Sequence, residues 1–291
     1  MTNLLEVKNL TVKFPTRDTV FEAVRGLSFS LGRERLGIVG ESGSGKSITG
    51  RAILRLIRKP GIVEADRIAL EGKNLLTLSE KEMREVRGHR ISMIMQDPKF
   101  SLNPVMKIGD QICEAYRLHT RASRSEARKK TLAMLEAVLI RDPERVFKSY
   151  PHEMSGGMGQ RIMIAMMLIP DPKILIADEP TSALDVTVQK EVLEIMDKLV
   201  RERGMGLIFI SHDLNVVSAF CDRVLIMYSG RIVETCRADQ LHNATHPYTV
   251  GLLNSMPRLE HPVDYLEVLK RDDSWDTMPS VGGTLETEII T

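Results

Sequence analysis

Gly40-Glu41-Ser42-Gly43-Ser44-Gly45-Lys46-Ser47 occupies every fixed position of the pattern G-x-x-x-x-G-K-[ST]. The run RLGIVG (35–40) that feeds it reads as a buried strand, and Ser47 to Leu56 after it as a helix that ends near Lys59-Pro60-Gly61. A glycine-rich turn between a strand and a helix is the context in which this pattern binds phosphate. The glycines let the backbone curl, so that successive N–H groups and the helix N-terminus face an anion. Lys46 is then placed to reach β- and γ-phosphates as a point charge, and Ser47 to offer its hydroxyl to Mg²⁺.

Outward from this loop the pattern divides. LLEVKNLTVKF (4–14) and AVRGLSFSL (23–31) alternate apolar and polar residues with period 2 and read as strands. From Leu102 to Tyr150 the pattern turns helical, as in GDQICEAYRLH (109–119) and RSEARKKTLAMLEAVL (124–139), and predicts a helical insertion. Strands return as KILIAD (173–178) and GLIFIS (206–211), each after a helical segment, which implies a largely parallel sheet. RVLIMYSGRIVET (223–235) is again strand-rich. Beyond Lys270 little periodicity remains, and the final twenty or so residues are expected to be poorly ordered.

Composition excludes several classes. With 43% apolar and 27% charged residues the chain is an ordinary globular one, and 40 Lys+Arg against 39 Asp+Glu produce no field that argues for nucleic acid. Apolar runs such as Ile162 to Ile169 stop well short of the roughly 18 residues that cross a bilayer. Glu6 and Lys8 interrupt the region where a cleaved leader needs an apolar segment, so a cytosolic chain is expected. Cys113, Cys221 and Cys236 are scattered without CxxC spacing and supply no metal or disulfide framework.

Two further stretches carry chemistry. Ile174-Leu175-Ile176-Ala177 ends in Asp178-Glu179, at the strand edge where open α/β sheets bind ligands. Asp178 is expected to hold Mg²⁺ through water. Glu179, pointing elsewhere by strand alternation, is the candidate general base or water-positioning group. A glutamate at a strand end is by itself commonly solvated surface; the phosphate loop upstream favours the catalytic reading. Met154-Ser155-Gly156-Gly157-Met158-Gly159-Gln160 precedes the helical RIMIAMMLI (161–169), with Ser155 as a natural N-cap. A helix start stripped of side chains is a second anion site. Composition alone leaves close helix packing as an equal explanation of those glycines.

Together these residues resemble the ABC ATPase family, whose signature is Leu-Ser-Gly-Gly-Gln or a variant. The resemblance implies an α/β fold: a P-loop NTPase (RecA-like) core with an N-terminal antiparallel β subdomain and an inserted helical subdomain. It implies ATP and Mg²⁺ as cofactors, with Gly40, Glu41, Ser42, Gly43, Ser44, Gly45, Lys46 and Ser47 around the phosphates and Ser47, Gln96 and Asp178 at the metal. Ser155, Gly156, Gly157 and Gln160 of one subunit would close over ATP held by its partner. Gln96, in Ile94-Met95-Gln96-Asp97-Pro98, resembles the Q-loop glutamine that senses Mg²⁺ and attacking water. Asp185, in Ser182-Ala183-Leu184-Asp185, matches the D-loop that crosses the dimer interface, and His212 the switch histidine that contacts the γ-phosphate. Phe14 resembles the aromatic that stacks on adenine, with Phe21 as its possible substitute. The resemblance spans roughly residues 4–260 and implies an ABC ATPase domain over 1–240, with the helical insertion at about 98–165, followed by an extension over 241–291. Met154 replaces the usual Leu, Gly159 stands where relatives often carry a basic residue, and Pro170 is expected to end the signature helix.

Met95-Gln96-Asp97-Pro98, Ser101-Leu102-Asn103-Pro104, His246-Pro247-Tyr248-Thr249, Leu252-Leu253 and Pro257 resemble the peptide and nickel importer branch. That branch implies two integral membrane permease subunits, a second ATPase subunit, homologous or identical, and an external solute-binding protein. It places the chain on the cytoplasmic face of the cell (inner) membrane. Peptides are the favoured solute, while Glu153-Met154-Ser155-Gly156-Gly157-Met158 keeps nickel open. Only Cys236 lies near the C-terminus, so no iron–sulfur cluster is expected. The helical insertion, with Gln96 at its hinge, is expected to grip a permease, and the basic run Arg121 to Lys130 reads as a solvated helix face. A soluble ABC protein of translation or DNA repair would show two fused cassettes, a long coiled coil or a zinc hook, and a GTPase an Asn-Lys-x-Asp motif; this sequence has none of these.

Overall fold

The computed structural model describes residues 3–96, 101–182, 184–255, 271–276 and 278–283. Asp97 and Pro98 of the expected Q-loop segment, Ala183 of the D-loop and Pro257 lie outside the described residues. The chain forms two compact units, one of Met1–Thr77 with Phe209–Thr291, the other of Leu78–Ile208. The boundary expected at 240/241 falls inside the first unit, and the expected insertion at 98–165 falls inside the second.

In the first unit the strands Leu5–Pro15 and Val20–Leu31 form a long antiparallel hairpin, with Leu5 opposite Leu31 and Phe14 opposite Phe21. Leu5 and Val7 are buried, then Leu10 and Val12. The switch from odd to even positions follows a register shift at Asn9, whose φ of 51° supplies the extra residue that keeps both apolar pairs inward. The strand Arg67–Leu70 adds antiparallel to the first strand of the hairpin. The strand Arg35–Val39 pairs in parallel with Arg223–Tyr228, which returns antiparallel as Arg231–Arg237. Ser229 (φ 47°) and Gly230 (φ 81°) make the two-residue turn between them, the left-handed pair that suits a twisted hairpin. The helix after the phosphate loop runs Lys46–Ile53, shorter than the expected end at Leu56, because Arg55 (φ 53°) turns the chain.

In the second unit the fully buried strands Ile91–Ile94 and Ile174–Asp178 lie parallel, with Ile94 opposite Ala177. The helices Ile108–His119, Arg124–Ala137, Pro143–Lys148, Gly156–Leu168 and Val186–Arg203 make up most of the rest. The helix Ile108–His119 packs on the next three, burying Ile108, Ile112, Leu135, Val146 and Ile162. No strand interrupts 101–150 among the described residues. The signature helix stops at Leu168, two residues before Pro170, and Asp171 (φ 60°) turns the chain into the next strand. The strand Gly206–Ser211 crosses the division between the units with all six residues buried.

Two short stretches of the tail, 271–276 and 278–283, are described. Trp275 is buried, its ring centroid 5.8 Å from Tyr228 and 6.0 Å from Tyr248. Val281 N–H donates to Ile232 O and Gly283 N–H to Ser28 O, both at 2.8 Å, so a stretch without periodicity is fixed by one aromatic anchor and two borrowed strand edges. Residues 284–291 lie outside the described residues. Among the described residues, no helix is long and apolar enough to cross a membrane.

Candidate functional site

The first unit holds the phosphate loop. A Cβ on Gly40 would lie 2.1 Å from Met227 O, and one on Gly45, whose φ is +100°, would lie 2.4 Å from Ala23 O, so backbone crowding and backbone angle both demand glycine there. Lys46 is 5% exposed. Its Nζ donates to Gly40 O at 2.7 Å, Glu41 O at 2.8 Å and Ser44 Oγ at 3.4 Å, which offsets the cost of burying an ammonium group and holds it within the curl of the loop. Gly45 caps the helix Lys46–Ile53 with no side chain, leaving the N–H groups of its first turn, with Ser47, to meet an anion. This donor set fits a polyphosphate. Ser42 and Gly43 are exposed at the loop's outer edge.

His212, exposed, follows the strand Gly206–Ser211 directly, and Asp213 caps the next helix, Leu214–Phe220, accepting from Asn215 N at 2.9 Å and Val216 N at 3.3 Å. Phe14 is half-buried and its cross-strand partner Phe21 is 54% exposed, so the two aromatics weighed for adenine stand side by side.

In the second unit Asp178 ends its strand at 1% exposure. Glu179 follows with φ 48°, so a left-handed turn, and not the strand alternation expected from sequence, aims its carboxylate. Gln96 Nε2 donates to Glu179 Oε2 at 2.9 Å. The parallel register explains the meeting: Ile94 faces Ala177, and Gln96 and Glu179 each lie two positions beyond that pair, where their strands have ended. Ser182 Oγ donates to Glu179 O at 3.2 Å and pins the turn.

Ser155 caps the helix Gly156–Leu168, its Oγ accepting from Met158 N at 3.4 Å. The two glycines differ in their surroundings. A Cβ on Gly156 would meet nothing within 4 Å, whereas one on Gly157 would lie 2.6 Å from Val188 Cγ1 of the helix Val186–Arg203. Asp185 caps that helix, accepting from Thr187 N at 3.1 Å and Val188 N at 3.0 Å. Gln160 stands apart from exposed Ser155 and Gly156: it is 2% exposed, and its Nε2 is buried with no hydrogen-bond partner among the described residues.

A family model described as ABC transporter matches residues 24–182, more than half of the sequence. The chain belongs to the ABC transporter family. It is an ABC ATPase with the cassette fold. The chain is 52% identical over 263 residues to the oligopeptide transport ATP-binding protein OppD of Bacillus subtilis (strain 168), covering 89% of this chain and 74% of that one. It is 49% identical over 263 residues to the dipeptide transport ATP-binding protein DppD of the same organism, covering 89% and 78%. Among solved structures it resembles the dimeric structure of MJ0796, a bacterial ABC transporter cassette, with a TM-score of 0.72 at 26% identity, over 80% of this chain and 98% of that one. A post-hydrolysis state of MJ0796 bound to ADP and Pi matches with the same TM-score. One contact of this ABC ATPase's loop went unread in its sequence: Tyr248 Oη accepts the Glu41 N–H at 3.1 Å. Its only signal is the His246-Pro247-Tyr248-Thr249 segment, set aside there as a mark of branch.

Proposed function

We propose that this ABC ATPase powers peptide import by ATP-driven closure of two cassettes, docked on two permease subunits at the cytoplasmic face of the membrane. The second cassette is a homologous or identical subunit, and an external binding protein delivers the solute. The peptide reading is supported by the oligopeptide and dipeptide transport names of the relatives that align over most of the chain. The single observation that carries the mechanism is the 2.9 Å hydrogen bond between Gln96 Nε2 and Glu179 Oε2, which fixes a carboxylate beside an amide at a strand edge.

In this reading Gly40 to Ser47 wrap the phosphates, and Lys46 balances their charge. Ser47, Gln96 and Asp178 would hold Mg²⁺, which would supply charge neutralisation on the phosphates when bound. Glu179 takes a proton from water as its oxygen forms a bond to the γ-phosphorus and the bond to the ADP oxygen breaks; Gln96 keeps the carboxylate aimed. His212 donates to a γ-phosphate oxygen, and Phe14, with Phe21 beside it, stacks on adenine. Ser155, Gly156 and Gly157 present a bare helix start to the partner's nucleotide, Gln160 supports that helix from within, and Asp185 reaches across the pair while capping its own helix. Residues 1–240 act as the ATPase domain, 98–165 as the insertion that grips the permease, and 241–291 as the extension.

The test is Mg²⁺-dependent ATP hydrolysis by the chain assembled with its permease and partner subunits in vesicles, wild type against Glu179→Gln, with peptide or Ni²⁺ supplied through the binding protein. Hydrolysis is expected to fall at least about 100-fold while ATP binding survives, since a Gln side chain still accepts from Gln96. Stimulation by peptides and not by Ni²⁺ is expected. Unchanged hydrolysis in the variant would remove Glu179 from the mechanism, and stimulation by Ni²⁺ alone would replace the solute.

A further inference from the structure

We propose that Tyr248, in the C-terminal extension, is a positioning residue for ATP binding: its phenol oxygen orients the Gly40–Glu41 peptide and, through it, the ammonium of Lys46. The inference rests on the reading of 40–47 as the ATP loop.

Local sequence places the tyrosine. Glu234 Oε1 accepts from Thr245 N at 2.7 Å and from His246 N at 3.3 Å, anchoring the start of the helix Pro247–Asn254 on a neighbouring strand. His246 then caps this helix, its Nδ1 accepting from Tyr248 N at 3.2 Å, and Pro247 occupies the first helical position, where a missing N–H costs nothing. Tyr248 therefore enters the core at a fixed angle. It is wholly buried, its ring centroid 4.6 Å from Tyr228, the residue after the Met227 carbonyl that crowds Gly40. Trp275 closes over it from the tail.

The consequence lies in one peptide plane. Glu41 N–H donates to Tyr248 Oη at 3.1 Å, while the carbonyl of the same peptide, Gly40 O, accepts from Lys46 Nζ at 2.7 Å. A peptide unit is planar, so holding its N–H holds its carbonyl on the opposite edge. Tyr248 and Lys46 thus fix one rigid plate from its two sides, and freeing the N–H edge lets the plate tilt and carries the Lys46 acceptor with it. The ion pair from Arg271 to the Glu41 carboxylate, at 3.1 Å, reaches the same residue but is largely exposed and does little to fix the backbone. Burial raises the Tyr248 phenol well above the ordinary tyrosine range, more than the Glu41 N–H lowers it, so the group remains neutral at physiological pH.

Tyr248→Phe keeps the ring and deletes only the oxygen. In the full chain it is expected to weaken Mg-ATP binding by about 3- to 10-fold, the scale of one lost hydrogen bond, with KM of the assembled transporter rising by the same factor, kcat within about twofold and Tm lowered by at most a few degrees. A residue that only packs its ring would leave both Tm and ATP affinity unchanged in this variant, because the ring is kept. Lys46→Ala runs beside it. If Lys46→Ala binds ATP like wild type, the loop reading fails; if it loses ATP while Tyr248→Phe matches wild type in Kd and KM, the loop reading stands and the positioning role is overturned. Should the variant not fold, amide exchange in the wild type decides: the Glu41 N–H is expected to be protected relative to exposed Ser42 and Gly43, and equal exchange refutes the contact.

Discussion

Gly156→Ala and Gly157→Ala place the same methyl group on adjacent residues of one helix start, and the structure requires them to fail differently. At position 157 the new Cβ would lie 2.6 Å from Val188 Cγ1. Valine in a helix has essentially one χ1 rotamer, so relief must come from moving the helix Gly156–Leu168 away from Val186–Arg203. Such overpacking costs about 1–3 kcal/mol, and the helix preference of Ala over Gly returns up to about 1 kcal/mol, leaving a net loss centred on about 1 kcal/mol within a range of about 0–3 kcal/mol. At position 156 nothing stands within 4 Å of the new Cβ, so stability should be unchanged or slightly raised. Activity should invert this order at position 156. Its methyl projects from the bare helix start proposed to meet the partner's ATP, and hydrolysis by the assembled transporter should fall at least about tenfold, the effect of losing about 1.4 kcal/mol of transition-state contact. Urea melts of the isolated chain measure the first quantity and steady-state ATPase of the assembly the second. Val188→Ala placed on Gly157→Ala should recover about 1 kcal/mol, a coupling that separates the specific clash from general damage. Wild-type stability in Gly157→Ala without that coupling, or full activity in Gly156→Ala, would refute the division of labour between the two glycines.

Arg223 is 6% exposed and donates to Glu34 Oε1 at 2.7 Å, to Ser30 O at 2.5 Å and to Gly283 O; Arg223→Met leaves the partly buried Glu34 carboxylate without this guanidinium and should cost about 3 kcal/mol in equilibrium urea unfolding, with a loss under about 1 kcal/mol counting against it. His246 is lowered from its ordinary value of 6.5 chiefly by burial, against the opposing charge of Glu234, so the unfolded chain binds this proton more readily than the folded one. The corresponding stability is present above about pH 6.5 and is lost as pH falls through the lowered folded value; His246→Asn, whose side chain can still cap, should flatten the decline of Tm from about pH 7 to pH 5, and an unchanged slope would exclude the histidine.

The elements that sequence reading found are those with a local cause. The loop at 40–47 is legible because crowding and φ leave no alternative to glycine at Gly40 and Gly45. Ser155 is legible because a helix start needs a capping oxygen. Gln96 was found by resemblance and Glu179 from its place at the end of an apolar strand, but their meeting depends on the parallel register Ile94 to Ala177, which no local pattern encodes. Tyr248 meets Glu41 across 207 positions of sequence, and Trp275 is buried only because Tyr228 and Tyr248 are already in place. Val188 decides what Gly157 is for, yet it is visible only once two helices have packed. What stayed hidden was therefore long-range complementarity, which secondary-structure periodicity does not carry.

Regular structure ends where the proposed chemistry begins, and the backbone angles show how that end is held. Gly43 (φ 85°) and Gly45 (φ 100°) reach the left-handed region without a side-chain penalty, but Glu179 (φ 48°) reaches it with a side chain, at a cost of about 1–3 kcal/mol. Pro180 disfavours the right-handed helical region for the residue before it, which removes one competing conformation. Ser182 Oγ bonding to the Glu179 carbonyl and Gln96 bonding to its carboxylate offset the remaining cost. Had the chain continued as a strand, Glu179 would have been set by the pleat opposite Asp178. The turn instead frees its direction from that of the buried aspartate, so that one carboxylate remains inside at the strand end and the next is presented to Gln96. The groups proposed to hold the metal and to accept the proton can then occupy consecutive positions without sharing an environment, and in this fold the strained residue achieves that separation.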